Sequence, residues 1–83
     1  MELRVEGRRI IVTAGAAGIG RAIIGALHGA GARIHACDIE KAALDKLPRD
    51  FPGVTTSVCD VADPLAVDRL FANADTSLGG LDA

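Results

Sequence analysis

The sequence predicts an α/β fold built on a parallel sheet. Two observations carry that prediction. Short β-branched runs alternate with longer stretches of helical periodicity, and glycine, proline or aspartate punctuates each junction. A third bounds it: 83 residues suffice for one domain, so residues 1–83 read as a single unit. A domain of this size buries only about 60–65% of the surface its unfolded chain exposes, which leaves a marginal core. The apolar residues are mostly Ala, Leu, Ile and Val, with two Phe and no Trp or Tyr. Small side chains of this kind suit tight helix-on-sheet layers.

Arg9-Ile10-Ile11-Val12-Thr13 is a β-branched run stopped by a glycine-rich turn, the pattern of a fully buried strand. From Gly18 to about Ala30, Ile19, Ala22, Ile23, Ala26 and Leu27 recur at helical spacing, and Gly31 suits a left-handed C-cap. Gly25 and Gly29 each cost this helix up to about 1 kcal/mol relative to Ala, which implies close approach of the helix to the sheet. Ala32 to Cys37 is the second strand, ending at Asp38. Glu40 to Leu47 is a short helix with Ala43, Leu44 and Leu47 inward, closed by Pro48. Pro52-Gly53 marks a turn, and Val54 to Cys59 is the third strand. Asp63-Pro64 places a capping carboxylate before a proline at N1, the clearest helix start in the chain. Val67, Leu70, Phe71, Ala74 and Leu78 then form one apolar face, which Gly79-Gly80 ends. The order β-α-β-α-β-α calls for right-handed crossovers and the spatial strand order 3-2-1.

A formal net charge of -2 and a pI near 5.5 leave no basic footprint for nucleic acid. Met1-Glu2-Leu3-Arg4 has no apolar signal region, and no stretch is long enough to span a membrane. A soluble, cytoplasmic protein is expected. Cys37 and Cys59 lack metal-ligand spacing and read as reduced, buried small hydrophobes. His28 is expected to face solvent and His35 to be structural.

The chemistry centres on Thr13-Ala14-Gly15-Ala16-Ala17-Gly18-Ile19-Gly20. A helix N-terminus offers unpaired N–H groups and about half a positive charge, and a turn without bulky side chains lets a phosphate reach them. The N–H groups around Ala17, Gly18 and Ile19 would face phosphates, while Gly20 would let helix and strand pack closely. Glycine turns also arise for conformational reasons alone. Context sharpens the reading: a strand precedes the turn, a helix follows, and Asp38 ends the next strand eighteen positions after Gly20. There a carboxylate can accept hydrogen bonds from ribose hydroxyls; it can also cap the following helix.

The run Ile11 to Ile23 resembles the cofactor-binding segment of the short-chain dehydrogenases/reductases. The likeness continues through Cys37-Asp38-Ile39, Cys59-Asp60-Val61 and Leu78-Gly79-Gly80-Leu81-Asp82, from about Leu3 to Ala83. It implies the N-terminal half of a Rossmann doubly wound parallel sheet and an NAD-dependent oxidoreductase acting on an alcohol or carbonyl substrate. The cofactor-binding residues would be Ala14, Gly15, Ala17, Gly18, Ile19, Gly20, Asp38, Ile39, Asp60 and Val61. Asp60 would bond the adenine amino group and Val61 would supply a backbone contact beside the ring; otherwise Asp60 is a strand-end turn residue. An acid at Asp38 favours NAD over NADP, and no basic residue stands at Ala17 or Ile39. Ala14 occupies the place of the family's first glycine, which appears one position later as Gly15.

The resemblance puts an Asn-Asn-Ala-Gly segment on a fourth strand, and the catalytic Ser, Tyr and Lys, beyond Ala83. No catalytic residue and no metal ligand is therefore expected within these residues, and this chain by itself is expected to be inactive. The outer edge of the first strand is expected to stand unpaired, inviting instability or homo-oligomerisation. Two other readings remain: a non-catalytic nucleotide-binding or subunit-pairing module, and a Rossmann-like methyltransferase. The Thr13-to-Gly20 spacing and Asp60-Val61 favour the dehydrogenase over the methyltransferase.

Overall fold

The computed structural model describes residues 5–14 and 17–83. Its elements run β1 (Arg9–Thr13), α1 (Gly18–Gly29), β2 (Arg33–Asp38), α2 (Lys41–Leu44), α3 (Leu47–Asp50), β3 (Thr55–Val58) and α4 (Pro64–Leu78). The three strands form one parallel sheet with β2 between β1 and β3, an adjacency compatible with the expected 3-2-1 arrangement. Residue pairing starts at Arg9↔Arg33 and ends at Asp38↔Val58.

Alternation along β2 divides the core in two. Ile34 and Ala36 point to one face, where they join Val12, Val54, Ile24 of α1, Leu44 of α2 and Leu47 of α3. Cys37 points to the other, where it meets Cys59 and Ala66 and Leu70 of α4. Both faces of β2 are thereby covered, as a central parallel strand requires.

Three expectations about the helices are corrected. Helix α1 turns Ile24 inward, fully buried, and leaves Ile19 81% exposed and Ile23 46% exposed. Adjacent Ile23 and Ile24 allow two faces a helical step apart, and the sheet selects the one running Ile24 to Leu27. Gly25 lies against the Phe51 ring rather than the sheet, since a Cβ there would stand 3.4 Å from Cζ; a Cβ at Gly29 would meet no neighbouring element within 4 Å. The expected single helix from Glu40 to Leu47 is two short ones, and Pro48 sits in the first turn of α3 instead of closing a helix. A first-turn proline forfeits no hydrogen bond, because its N–H would have had no partner.

Helix α4 starts as expected, with the Asp63 carboxylate accepting from Leu65 N at 3.0 Å. Its buried face is Ala66, Leu70, Ala74 and Leu78, with Val67 half-buried; Phe71, expected inside, is 50% exposed. Gly79 takes the left-handed C-cap conformation at φ 75.

The expectation of an unpaired outer edge on β1 is also corrected for its first part, from Arg9 to the Ile11 amide. Ala83 N donates to Arg9 O at 3.1 Å and Ala83 O accepts from Ile11 N at 2.8 Å, the bonding of a parallel pair. A side-chain latch reinforces this contact. The Asp82 carboxylate accepts from Arg9 N at 2.8 Å and from Arg9 Nε at 3.1 Å, while Arg9 Nη1 donates to Gly79 O at 2.9 Å. Gly80, at φ 137, leaves room for the guanidinium, for its Cβ would overlap Arg9 Nη1.

His28 is half-buried rather than solvent-facing. Its Nε2 lies 2.9 Å from Pro52 O, and its ring stands 5.6 Å from that of Phe51. Arg21 covers Phe51 at 5.1 Å and pairs with Asp50 at 2.5 Å, tying α1 to α3.

The latch has a pH signature. Its hydrogen bonds from Arg9 hold the Asp82 carboxyl down at about 2 against an ordinary 3.8. A lowered acid contributes stability that is complete above its unfolded value and disappears as pH falls through the folded one. Acid unfolding followed by circular dichroism should show this contribution lost between about pH 4 and pH 2, and absent in Asp82→Asn.

Candidate functional site

The three strands finish together, with Thr13 opposite Cys37 and Asp38 opposite Val58. The residues that follow them consequently gather at one edge of the sheet, the carboxyl edge where open α/β sheets place ligands. A cleft of about 260 Å³ opens there, lined by Ala14, Asp38, Ile39, Cys59, Asp60 and Val61. Five of these six were expected from the sequence. The sixth, Cys59, forms a wall by standing immediately before Asp60. A larger cavity of about 440 Å³ lies at the opposite ends of the strands, bounded by His28, Arg33, Val54 and Ser77 among others. It holds none of the expected residues.

Ala14 takes φ 52, the left-handed region that favours glycine. This is the position at which the resemblance expects glycine, so the backbone keeps the turn and the alanine bears the strain. Gly15 lies outside the described residues. Ala17 is the N-cap of α1 at φ -151, and no side chain caps this helix. Its first-turn amides are therefore left to a ligand or to water. Gly18 follows at φ 59, and Ala17, Gly18 and Ile19 are all exposed, while Gly20 is half-buried in the first turn.

Asp38 is held by its own chain. Its Oδ1 accepts from Ile39 N at 2.7 Å and from Glu40 N at 3.2 Å. The N-cap position of α2 is Glu40, without a side-chain cap bond, so Asp38 shapes the turn ahead of the helix rather than capping it. Asp60 does the same at the end of β3: its Oδ1 accepts from Ala62 N at 2.9 Å and its carbonyl from Asp63 N at 3.0 Å. The turn role of Asp60 is realised, and its carboxylate also lines the cleft. Ile39 and Val61, each following one of the acids, are 64% and 58% exposed. Two acids flanked by exposed apolar side chains, with an uncapped helix start a few residues beyond the Ala14 turn, can receive a ligand with a flat apolar part, hydroxyl groups and an anionic end.

Cys37 and Cys59 are free and buried, as expected. Burial pushes the Cys37 thiol up, assisted by the Cys59 thiol beside it, which keeps it protonated and unreactive. Among the described residues no cluster of His, Cys, Asp and Glu could hold a metal ion.

Comparison with known proteins decides the family: residues 8–83 match the short chain dehydrogenase model. The chain belongs to the short-chain dehydrogenase/reductase family. It is 52% identical over 69 residues to an L-xylulose reductase of Bos taurus, covering 83% of this chain and 28% of that protein. The L-xylulose reductase of Homo sapiens is 44% identical over the same shares. A 2-keto-3-deoxy-L-fuconate dehydrogenase of Xanthomonas campestris is 42% identical, with 83% of this chain and 23% of that protein covered. A crystal structure of a short-chain dehydrogenase/reductase (glucose/ribitol dehydrogenase) from Brucella melitensis superposes with a TM-score of 0.90. It is 27% identical, over 99% of this chain and 36% of that one. The chain thus spans about a quarter to a third of the relatives it matches.

The strain at Ala14 is testable. A non-glycine residue in the left-handed region costs about 1–2 kcal/mol, partly offset by the greater unfolded-state entropy of glycine. Ala14→Gly should therefore match or exceed the parent in urea denaturation, by up to about 1 kcal/mol. Ala14→Val, β-branched at positive φ, should lose about 1–2 kcal/mol or more.

Proposed function

We propose that residues 1–83 form the adenosine-binding part of a Rossmann domain in an NAD-dependent oxidoreductase. In the whole protein, hydride would pass between NAD(H) and an alcohol or carbonyl substrate. The observation that carries this reading is the single cleft uniting the Ala14 turn with Asp38 and Asp60. Its chemistry fits the group. The uncapped start of α1 would receive the pyrophosphate on the amides of Ala17, Gly18 and Ile19. Gly15 and Gly20 would belong to the same cofactor-binding set. Asp38 would accept hydrogen bonds from the ribose hydroxyls, Asp60 would bond the adenine amino group, and Ile39 and Val61 would flank the ring.

The choice of NAD over NADP rests on charge. A 2′-phosphate would sit against the Asp38 carboxylate, and neither Ala17 nor Ile39 supplies a cation to offset the repulsion. The names of the relatives, L-xylulose reductase and 2-keto-3-deoxy-L-fuconate dehydrogenase, support a sugar-derived substrate for the whole protein. A cytoplasmic, homo-oligomeric enzyme belongs to the same reading. No helix among the described residues is long and apolar enough to cross a membrane.

Calorimetric titration of this chain with NAD⁺ and with NADP⁺ tests the assignment. NAD⁺ should bind more tightly. Asp38→Asn should weaken NAD⁺ by about tenfold to a hundredfold, the worth of a hydrogen bond to a charged group, and narrow the gap to NADP⁺. Tighter binding of NADP⁺ by the unsubstituted chain would overturn the choice of cofactor.

A further inference from the structure

Beneath the cleft, a polar cluster interrupts an otherwise apolar layer. His35, in the middle of β2, is 1% exposed. Its Nδ1 lies 2.6 Å from Thr55 Oγ1 and its Nε2 lies 2.7 Å from Ser57 Oγ, so one imidazole grips two hydroxyls of β3. Asn73 of α4 donates from Nδ2 to Ser57 Oγ at 3.2 Å, and Thr55 Oγ1 donates to Ile34 O at 3.5 Å. One arrangement gives both hydroxyl protons and the ring proton an acceptor: Asn73 donates to Ser57, Ser57 to His35 Nε2, His35 Nδ1 to Thr55, and Thr55 to Ile34 O. It requires the neutral imidazole with its proton on Nδ1. No buried side-chain nitrogen or oxygen is then left without a partner among the described residues.

An imidazolium breaks this order. Nε2 would carry a proton, so the Ser57 hydroxyl would lose its acceptor and have to turn away. A positive charge would also be buried without a counter-charge. The groups of β3 and α4 that enter the cluster, Thr55, Ser57 and Asn73, are uncharged. On the same face of β2 stand Arg33, exposed, and the protonated thiol of Cys37, while Asp68, Arg69 and Asp75 of α4 are all exposed. Burial lowers the imidazole from its ordinary 6.5, and no charged neighbour adds to or opposes the shift.

The position of the cluster gives it a consequence. Ser57 of β3 precedes Asp60, just past the strand's end, by three residues, and His35 precedes Asp38 by three on β2. The cluster therefore ties together, from below, the two strands whose ends carry the cleft's carboxylates, and it anchors α4 to them. We propose that neutral His35 is an acid-sensitive tie between β2, β3 and α4, and that its protonation loosens the Asp60–Val61 wall of the nucleotide cleft. The second half of this statement rests on the nucleotide reading above.

The sign follows from linkage. A histidine whose folded value is lowered contributes stability that is complete above its unfolded value and lost as pH falls below it. Urea unfolding should therefore show the unfolding constant rising below pH 6.5, by up to about tenfold per pH unit for one proton. His35→Gln cannot titrate, and its amide can still accept and donate, so it should lack this component. In ¹⁵N NMR, the His35 ring of the unsubstituted chain should be in the Nδ1–H form at neutral pH. NAD⁺ affinity, measured at pH 7.5 and at a lower pH where the NMR titration shows the ring protonated, should fall several-fold more in the parent than in His35→Gln. Superimposable stability profiles for the two proteins would overturn the tie. So would a ring titrating at or above 6.5, which also decides the matter should His35→Gln fail to fold. Differing profiles without NAD⁺ binding at either pH would remove the nucleotide reading and leave the tie standing.

Discussion

The organisation of this protein depends on β2 being enclosed on every side. Its two edges are hydrogen-bonded to β1 and β3, and its two faces are packed by α1–α3 and by α4. Such a strand cannot send any backbone group to water, so each must be bonded within the sheet. Its side chains must be small or apolar, and Ile34, Ala36 and Cys37 satisfy that demand directly. His35 satisfies it only through the two hydroxyls that β3 brings opposite. Removing an aliphatic side chain of this kind from such a position costs about 2–5 kcal/mol, a large share of what a domain this small possesses.

Enclosure of β2 also locates the cleft. Parallel strands in register must leave the sheet at the same edge, and here those exits are the Ala14 turn, Asp38-Ile39 and Cys59-Asp60-Val61. The ends are stiffened locally. Each acid spends one carboxylate oxygen on amides of its own turn, and Asp63 fastens the start of α4 immediately downstream. Carboxylates held by short-range bonds need little reordering when a ligand arrives, which lowers the entropic cost of binding. The start of α1, without a side-chain cap, follows the Ala14 turn by a few residues and carries the positive end of the helix dipole.

Outside the sheet, a few specific contacts set how the helices sit. Phe51 fills the space beside Gly25 under Arg21 and against His28, and so fastens α1 to the short α3. On the other side, Arg9 joins the C-cap of α4 to Asp82 and to β1. Both devices rely on an arginine whose planar head meets two partners at once, which a lysine could not reproduce.

Local chemistry along the chain determined the order of elements, the three strands, the Asp63-Pro64 helix start and the glycine caps, because each follows from contacts within a few residues. The family resemblance named most of the cleft's members, and the parallel sheet brings them together because its strand ends converge at one edge. The alternatives within a helix were settled only by packing. Ile23 and Ile24 are equally apolar, and it is the sheet that buries one and exposes the other. Pro48 closes a helix or opens one according to where the preceding turn ends. Phe71 reads as a core residue on its own helix but has no layer facing it among the described residues. Most of all, the long-range partnerships of Arg9 with Asp82, and of His35 with Thr55, Ser57 and Asn73, join residues far apart in the chain. Only the tertiary structure could decide them, because hydrogen bonding between distant side chains leaves no periodic trace in a sequence.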